Sequence, residues 1–550
     1  MARDPTHNGG SFLLAPPRAV FSPEAFSEQQ RLTAQTAETF AQQEVAVASE
    51  AIERQDFEAT RALLRQAGRL GLTGVDIPEA YGGLGLDFAA STIVADHLAV
   101  QGSFSVSFGA HVGIGTLPLV FFGSEEQKQK YLPRLATAEW VGAYALSEAG
   151  SGSDALAMRT EAKLTPGGDE YLLNGEKMWI SNAGFADLFT VFATTGDRVT
   201  AFLVEAGCAG LATGPEEHKM GIHGSSTRSL LLRDVRVPRG NVLGEVGNGA
   251  HIAFQILNIG RFKLGAACIG GARNLLRQAI GYARQRHAFG QPIASFGLIQ
   301  QYVARMAMGI YAGESAVYRT AGLMADERDL NEYAVECSMV KVHASEMLDA
   351  VVDQAVQIYG GNGFVSGNVA ERAYRDARVN RIFEGTNEIN RLLISGMLLR
   401  RAEKGSLALL PAAEQVAAEM LAPPTEQGVC EQARKVALLV CAAAHRRHRE
   451  TLAQQQEILA MIADLLVGVY VMQSVAVRQP ESVLTQAVLA EQMDAVEMTA
   501  RHALAAISTG DELRTQMTWL RRLLKREPAN LMALHRQIAE RALEAQGYPA

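Results

Sequence analysis

The sequence is poor in cysteine, and its cysteines do not pair by spacing. Five occur among 550 residues, and none forms a CxxC or CxxH pattern. Widely spaced thiols in an odd number argue against a disulfide framework and against a zinc site, so we expect reduced thiols and no bound metal. The five are Cys208, Cys268, Cys337, Cys430 and Cys441.

The chain also has no excess of positive charge. Its 51 lysines and arginines are outnumbered by 59 acidic residues, which gives a net charge of −8. Nucleic-acid phosphates are bound by basic surfaces, so this balance argues against a nucleic-acid partner.

Long apolar runs are scarce as well. No uninterrupted run approaches the ~20 residues that span a bilayer. Residues 1–30 contain only the brief apolar patch at 12–14, which is too short for a signal-peptide core. We therefore expect a cytoplasmic protein of bacterial type without a targeting peptide. Peripheral contact with the inner membrane stays open as an alternative.

What the chain has in quantity is apolar, helix-compatible sequence. With 48% hydrophobic residues among 550, it can bury a large core, and its length predicts three or four domains. Helical patterns cover residues 23–140, short β-branched and aromatic runs cover 141–248, long helical stretches return over 249–405, and a further helical region covers 428–550. The expected fold is mostly α with a small β domain, and residues 421–428 are predicted to be a linker.

The third region predicts a four-helix bundle. Its long helical stretches are separated by loops at 286–293, 326–329 and 360–364, and one more helix follows Thr386. Four long helices joined in this way can pack around a shared core.

Within the β region, the Asn-Gly pair at 174–175 lies between two apolar runs. Asn-Gly is the strongest short-range signal for a hairpin turn, so we expect a turn here. Side chains alternate along a strand, which places Trp179 and Ser181 on one face of the second strand and Met178 and Ile180 on the other.

One carboxylate stands in the setting of a catalytic base. Glu384 follows Ile382 and Phe383, whose apolar side chains can remove water and raise its pKa towards neutrality, which makes a better base. Gly385 allows close approach to the backbone, and Thr386 is a predicted N-cap for the next helix. The alternative is a surface carboxylate in a loop.

Two segments offer groups that suit a flat ligand. Residues 144–154 combine hydroxyls, glycines and backbone N–H groups that can lie against a planar, hydrogen-bonding molecule such as a flavin ring. Trp179 follows in the β region. A flexible turn and a core tryptophan are the alternative interpretations.

Two more segments lie at predicted helix ends. Residues 286–290 form a basic and aromatic loop, whose positive charge also suits the C-terminus of a helix. Residues 357–361 end a long helix at paired glycines, which adopt positive φ readily. Any helix can end in either way.

In this order and spacing, these segments resemble the acyl-CoA dehydrogenase flavoproteins, and among them the very-long-chain branch with an extra C-terminal helical domain. The resemblance covers residues 25–405 and, more weakly, 450–545. It implies an N-terminal helical domain, a β-barrel-like middle domain and a four-helix bundle. Some members of the family place their base beside the arginine that matches Arg261, but Gly260 cannot serve, which leaves Glu384.

The resemblance implies FAD as cofactor and acyl-CoA as substrate. The residues implied to contact FAD are Tyr144, Ser147, Ser153, Trp179, Ser181, Arg286, Phe289, Phe296, Gln357, Gly360, Gly361, Thr386 and Glu388. Those implied to contact acyl-CoA are Ser153, Leu257, Asn258, Arg261 and Gly385.

The chemistry implied is dehydrogenation of a long-chain acyl-CoA to trans-2-enoyl-CoA in fatty-acid β-oxidation. Glu384 would take the α-proton and N5 of the flavin the β-hydride. An electron-transferring flavoprotein is the implied electron acceptor, and a homodimer the implied assembly. An acyl-CoA oxidase and an assembly or scaffold protein remain alternatives. For the basic clusters at 445–449 and 521–526, a solvated helix face is favoured over membrane contact.

Overall fold

The computed structural model describes residues 9–325, 331–419 and 428–550. The chain divides into two compact units. One comprises Phe26–Gly271 and Arg372–Gly385, and the other comprises Met1–Ala25, Ala272–Glu371 and Thr386–Ala550. The predicted loop at 326–329 and most of the predicted linker lie outside the described residues, and the predicted domain boundaries stay a prediction.

The first unit opens with short helices whose ends are capped by side chains. Ser27 accepts a hydrogen bond from the backbone N–H of Gln30, whose side chain bonds back to Ser27, and Ser124 and Gln127 repeat this capping box. The caps fix where α1 and α7 begin. These helices are α1 (Glu28–Phe40), α2 (Ser49–Glu53), α3 (Phe57–Arg69), α4 (Phe88–His97), α5 (Gly102–Gly109), α6 (Leu117–Phe122) and α7 (Glu125–Ala136).

Eight strands of the described chain form one sheet in this unit. Its hydrogen-bonded order is β6-β7-β3-β2-β4-β5-β8, and β1 pairs with β4 in parallel. Leu173, Leu230 and Val235 from the central β3–β7 pair are buried in the core of the sheet. The strands are β1 (Gly142–Ala145), β2 (Glu161–Leu164), β3 (Glu170–Ser181), β4 (Leu188–Thr195), β5 (Arg198–Glu205), β6 (Leu211–Thr213), β7 (Thr227–Pro238) and β8 (Val242–Leu243).

The predicted hairpin at 174–175 is wrong. β3 runs straight through this pair, and a shift of register against β7 between Leu173 and Gly175 absorbs it as a bulge. Gly175 has φ of 152°, and a Cβ there would overlap Thr160. Close packing, rather than a turn, therefore explains the glycine.

The predicted alternation over 178–181 is also wrong. The register shifts again between Lys177 and Ile180, and Trp179 has φ of 59°, so β3 carries a second irregularity. Lys177 and Ile180 are both buried although they are three positions apart, whereas Trp179 is 54% exposed. Because of this irregularity, the Trp179 side chain does not follow the regular alternation of side chains along β3.

The second unit contains the long helices. α10 packs against α9 and α13, and α16 packs against α9, α13, α15 and α17. The long helices predicted after residue 249 are present, and the first of them, α8, contributes to both units. The remaining elements are α8 (Gly249–Gln285), β9 (His287–Ala288), β10 (Gln291–Pro292), α9 (Gly297–Met324), α10 (Ala334–Tyr359), α11 (Gly361–Phe364), α12 (Val369–Ala377), α13 (Asn387–Glu403), α14 (Leu409–Glu419), α15 (Val429–His448), α16 (Gln456–Arg478), α17 (Val483–Ile507), α18 (Gly510–Leu523) and α19 (Leu531–Ala545).

Residues 9–25 pack in this second unit, where they contact α16, a helix from much later in the sequence. Phe12 is 3% exposed, and its ring meets Tyr470 of α16 edge-on at 5.3 Å between centroids. Glu24 pairs with Arg478 at the end of the same helix, at 2.8 Å. The apolar patch at 12–14 is therefore part of the core.

Among the described residues, three helical segments are long and apolar enough to cross a membrane by length and composition alone. They are Gly102–Phe122, Gly249–Gln285 and Gln456–Arg478. Between 67% and 83% of the apolar window of each is buried inside the protein. Polar residues such as Asp464 interrupt the apolar sequence of these segments, so none of them is one continuous apolar run.

Candidate active site

Glu384 lies at the end of the segment that follows α12. A short 3-10 turn covers Arg378–Arg381, and Glu384 and Gly385 then have φ of 57° and 79°. A left-handed conformation is rare and costly for a residue with a side chain, so the surrounding structure must impose it. Thr386 caps α13 by accepting a hydrogen bond from the backbone N–H of Ile389 at 3.3 Å, which confirms the predicted N-cap.

The backbone of α8 lies directly against the Glu384 carboxylate. A Cβ built on Gly260 would lie 2.6 Å from Glu384 Oε2 and 2.9 Å from Oε1. Protein interiors do not accommodate contacts this short, so a side chain at 260 would displace the carboxylate. Oε2 itself is buried from water. Gly260 thus has no side chain that could act as a base. Its missing side chain also leaves the space that the Glu384 carboxylate occupies.

Arg261, next to this glycine, holds the backbone of the base. Its Nε donates to the carbonyl oxygen of Glu384 at 3.0 Å, and its Nη1 donates to Asn258 Oδ1 at 3.0 Å. Arg261 is 5% exposed and Asn258 is 3% exposed, while Leu257 on the same helix is half-buried. The contact of these residues with acyl-CoA stays a prediction, and the role that the structure gives Arg261 is to support Glu384.

Tyr144, on β1, is buried beside the same carboxylate. Its hydroxyl donates to the carbonyl oxygen of Ala253 at 3.3 Å, and its ring packs on Phe192 with centroids 4.9 Å apart. Burial, and then the negative charge of Glu384, raises the pKa of Tyr144 well above its ordinary value. Tyr144 is therefore a neutral phenol at working pH. Since it is only 8% exposed, its contact with FAD stays a prediction.

A buried ion pair, which the sequence patterns did not reveal, anchors the predicted flavin segment. Lys177 Nζ lies 2.7 Å from Glu148 Oε1, and Glu148 also accepts hydrogen bonds from the backbone N–H groups of Arg159 and Thr160 at 2.6 and 3.0 Å. Burial lowers the pKa of Lys177, whereas these hydrogen bonds outweigh burial and lower the pKa of Glu148. The pair joins the loop to β3. Its one sequence signal was a lysine inside an apolar strand.

The other predicted flavin contacts of this unit lie on or near that loop. The carbonyl oxygen of Ser147 accepts a hydrogen bond from the backbone N–H of Met178 at 2.9 Å, which ties the loop to β3 again. Ser153 is exposed and Ser181 is half-buried. Trp179, 54% exposed, presents a large aromatic face to solvent. Exposed indole surface of this kind is typical of a ligand or partner site.

In the second unit, the chain after α8 presents an aromatic tip. Phe289 and Gly290 have φ of 52° and 81° and form the turn between β9 and β10. Phe289 is 95% exposed and meets the ring of Phe296 edge-on at 5.9 Å. Arg286 is exposed at the start of this turn. The predicted basic and aromatic loop is confirmed, and its contact with FAD stays a prediction.

The end of α10 is also open. The helix stops before Gly360, which has φ of 59°, as the paired glycines predicted, and Gly361 begins α11. A Cβ at either glycine would meet no atom of the described residues within 4 Å. Gln357 is exposed, and Phe364 is 85% exposed. Backbone and side chains here are accessible to a ligand or a second chain.

The first turn of α13 carries the last two predicted cofactor contacts. Thr386 is half-buried, and Glu388 is exposed. Hydrogen bonds from its own backbone N–H and from the Thr386 hydroxyl lower the pKa of Glu388. An ionised carboxylate suits the N-terminus of a helix, and its contact with FAD stays a prediction.

Four family models match the chain in order. They are described as the acyl-CoA dehydrogenase N-terminal domain over residues 27–139, middle domain over 143–235, C-terminal domain over 247–399 and a further C-terminal domain over 432–522. Together the four models cover most of the chain.

Two proteins and one solved structure show the extent of the similarity. A probable acyl-CoA dehydrogenase of Bacillus subtilis (strain 168) is 44% identical over 98% of each chain. The human mitochondrial very long-chain specific acyl-CoA dehydrogenase is 43% identical over 59% of this chain and 51% of its own length. The crystal structure of an acyl-CoA dehydrogenase complexed with FAD from Bacillus anthracis matches with a TM-score of 0.96 and 44% identity, over 99% of this chain and 100% of the other. The predicted fold is confirmed.

Proposed function

Since this chain belongs to the acyl-CoA dehydrogenase family, we propose that it uses FAD to convert an acyl-CoA thioester into trans-2-enoyl-CoA, with Glu384 as base. One observation carries this proposal. The carboxylate of Glu384 lies against the bare backbone of Gly260 while Arg261 holds the carbonyl of the same residue.

That arrangement suits a difficult proton transfer. The α-hydrogen of a thioester is weakly acidic, so its removal needs a carboxylate held in one place in a site that excludes water. Gly260 lets the carboxylate approach the helix, and Oε2 of Glu384 is shielded from solvent. Arg261 fixes the backbone of Glu384 by donating a hydrogen bond to its carbonyl oxygen. A surface carboxylate in a loop would have none of these restraints.

Each unit, taken by itself, exposes groups that can contact part of a flavin dinucleotide. Trp179 and Phe289 present aromatic surface, which matches a planar aromatic ring, and Arg286 can pair with a diphosphate. Gly360 and Gly361 leave backbone accessible, because a Cβ there would meet no described atom within 4 Å. When bound, FAD supplies the acceptor for the β-hydride. The FAD complex of the Bacillus anthracis relative supports this cofactor.

The chain's own part in the reaction is to bind, orient and move one proton. Glu384 takes the α-proton on its carboxylate while the double bond forms. Negative charge that develops on the thioester oxygen needs a donor, for which we propose the backbone N–H of Glu384; losing one such donor costs roughly 3 kcal/mol in other enzymes. Tyr144 stays protonated and bonded to Ala253, so it does not compete for the proton.

We further propose a long-chain acyl-CoA as substrate and fatty-acid β-oxidation in the cytoplasm as the setting. The similarity to the very long-chain specific enzyme supports the chain length, although the chain spans about half of that relative. An electron-transferring flavoprotein is the proposed acceptor of electrons. A homodimer is the proposed assembly, because Phe364 exposes 85% of its surface and a second subunit would cover such apolar area.

The test is anaerobic reduction of the bound flavin, followed by its visible spectrum. The purified protein should be yellow and should bleach faster with palmitoyl-CoA than with butyryl-CoA. Glu384→Gln should keep its flavin and bleach about 10³-fold more slowly, because the base is lost. Glu403→Gln, at the exposed end of α13, is the matched control and should bleach like the wild type. An unchanged rate in Glu384→Gln would overturn the assignment of the base.

The same experiment separates the alternatives. A colourless protein that binds no FAD would favour the assembly or scaffold role. Stoichiometric peroxide in a parallel aerobic assay, with oxygen as the sole oxidant, would favour an acyl-CoA oxidase. A bound flavin that neither substrate reduces would overturn the substrate class.

A further inference from the structure

Helix α13, which begins three residues after Glu384 in the chain, is held first by α10. Lys341 Nζ donates to Asn387 Oδ1 at 2.7 Å, and Asn387 Nδ2 donates to Glu346 Oε1 at 2.9 Å. Lys341 is 0% exposed and Asn387 is 2% exposed. The first residue of α13 is thus fixed by buried, charge-assisted hydrogen bonds, which are the strong ones.

One turn further along, α13 meets α16 of the C-terminal region. Arg391 Nη1 and Nη2 donate to the two oxygens of Glu346 at 2.7 and 2.9 Å, and its Nε donates to Asp464 Oδ1 at 2.7 Å. After another turn, Ser395 Oγ donates to the carbonyl oxygen of Leu459 at 2.6 Å. Arg391 therefore joins α10, α13 and α16 through one guanidinium.

α16 is itself held firmly, so it can serve as a fixed support. Arg319 of α9 donates to the carbonyl oxygen of Tyr470 at 3.1 Å. Arg478 pairs with Glu314 of α9 at 2.7 Å, and their side chains are 2% and 5% exposed. Buried groups thus fasten α16 to α9. A helix held in this way keeps its side chains in place, so it can position the residues of α13 that contact it.

The two carboxylates that share Arg391 are unequal partners. Burial would raise the pKa of Glu346, but the hydrogen bonds from Arg391 outweigh it and lower that pKa. The pKa of Asp464 is raised, because burial outweighs its single contact with Arg391. Neutralising Asp464 therefore weakens the ionic link from Arg391 to α16 and leaves the bidentate pair between Arg391 and Glu346 in place.

From this geometry we infer that Asp464 is a positioning residue, which acts through Arg391 on the first turn of α13. That turn carries Thr386 and Glu388 and directly follows Glu384 and Gly385 in the chain. The C-terminal region therefore supports the first turn of α13, which carries the proposed cofactor contacts Thr386 and Glu388. The inference rests on the proposed function for its consequences in catalysis.

The test compares Asp464→Asn with Asp511→Asn in the full chain with FAD bound. Asp511 pairs with Arg514 on α18, where the side chains are 93% and 74% exposed, so the control removes the same group from the same region. In Asp464→Asn, amide exchange over residues 386–392 should accelerate about tenfold, because the amide that replaces the carboxylate carries no negative charge to hold Arg391. The dissociation constant for FAD should rise by a similar factor, and kcat should fall while KM for palmitoyl-CoA is unchanged.

A double variant tests whether the effect passes through Arg391. If it does, Asp464→Asn combined with Arg391→Gln should show the exchange and FAD affinity of Arg391→Gln alone. Full additivity would overturn the inference. So would a lowered melting temperature in Asp464→Asn with unchanged exchange and FAD affinity, because that pattern belongs to a merely structural contact.

Amide exchange is measured without substrate, so it tests the role of Asp464 independently of the proposed acyl-CoA dehydrogenation. A wild-type protein whose flavin no acyl-CoA reduces would overturn the proposed function, and exchange over 386–392 would still decide the role of Asp464. If Arg391→Gln does not fold, the comparison of Asp464→Asn with Asp511→Asn decides it alone.

Discussion

The surroundings of Glu384 and the exposed aromatic residues of the second unit are built in opposite ways. Around Glu384 the supporting side chains are buried and bonded, and Arg261 and Asn258 are 5% and 3% exposed. In the second unit, Phe289 and Phe364 are 95% and 85% exposed. Buried and bonded groups keep a geometry that one chain builds alone, whereas exposed aromatic groups become fixed when something covers them. The surroundings of the proposed base are thus preorganised, and the exposed aromatic side chains become fixed only when a ligand or a second chain binds them.

The largest effect should come from breaking the buried ion pair of the first unit. Lys177→Met would leave the Glu148 carboxylate buried without its cation, which costs about 3–5 kcal/mol of the free energy of unfolding. Urea denaturation measures it. Lys163→Met is the control, because its pair with Glu161 is exposed, and it should change stability by less than about 0.5 kcal/mol. Equal losses in the two variants would contradict the contrast between buried and exposed groups.

The next effect should come from filling the space that Glu384 occupies. Gly260→Ala places a methyl group where the carboxylate lies, so kcat should fall about 100-fold even if the fold survives, because a misplacement near 1 Å costs that much. Rapid-mixing reduction of the flavin by palmitoyl-CoA measures it. Gly281→Ala on the same helix has no described atom within 4 Å of the new Cβ and should keep the wild-type rate. A wild-type rate in Gly260→Ala would show that the carboxylate works from another position.

A smaller effect is expected on the exposed side. Phe289→Ala should weaken FAD binding about tenfold, the size of one aromatic contact, and should leave the melting temperature of the cofactor-free chain unchanged. Equilibrium dialysis against FAD and thermal unfolding measure the two quantities. Met532→Ala, 62% exposed on α19, should change neither. Loss of stability without loss of FAD affinity would mean that Phe289 serves the fold.

The smallest effect concerns a buried carboxyl on the helix that leads to the base. Asp376 accepts a hydrogen bond from the backbone N–H of Ile222, and burial raises its pKa from 3.8 to about 6. Because the folded state holds this proton more tightly, the stabilisation is complete below pH ~4 and is lost as the pH rises through about 6. Asp376→Asn mimics the protonated form, so it should match the wild type at pH 4 and have a higher free energy of unfolding than the wild type at pH 8.

Melting curves across that pH range measure the difference for Asp376→Asn. Asp197→Asn, exposed between β4 and β5, should follow the wild type at every pH. A variant at 376 that is less stable than the wild type at pH 8 would show that the ionised carboxylate is needed.

Local signals in the sequence were reliable where the structure is itself local. Thr386 was identified as an N-cap because a hydroxyl before an apolar helix needs only its own next turn. The aromatic turn at Phe289 and the helix end at Gly360 likewise depend on neighbouring residues. The Asn-Gly pair failed as a hairpin signal because β3 pairs with β7, which lies more than 45 residues away, and this long-range pairing overrode the local turn preference.

Contacts between distant residues left no trace in the spacing of the sequence. Lys177 and Glu148 are 29 positions apart, and Arg391 and Asp464 are 73 positions apart. Nothing in either pair's immediate neighbours specifies the partner. Gly260 was recognised as unable to be a base, but only the folded chain shows that its missing side chain is the space that Glu384 fills.

Residues 9–25, which the ribosome synthesises early, pack on α16, which it synthesises much later. Gln473 Nε2 donates to the carbonyl oxygen of Phe12 across 461 positions, and Arg478 reaches Glu24 across 454. A ribosome that adds about 5–20 residues per second completes α16 about 25 to 90 seconds after it places Phe12. During that interval Phe12 and Leu13 remain uncovered on a nascent chain. The yield of native protein should therefore depend on translation speed and chaperone supply at the amino end, far from the chemistry that the finished protein performs.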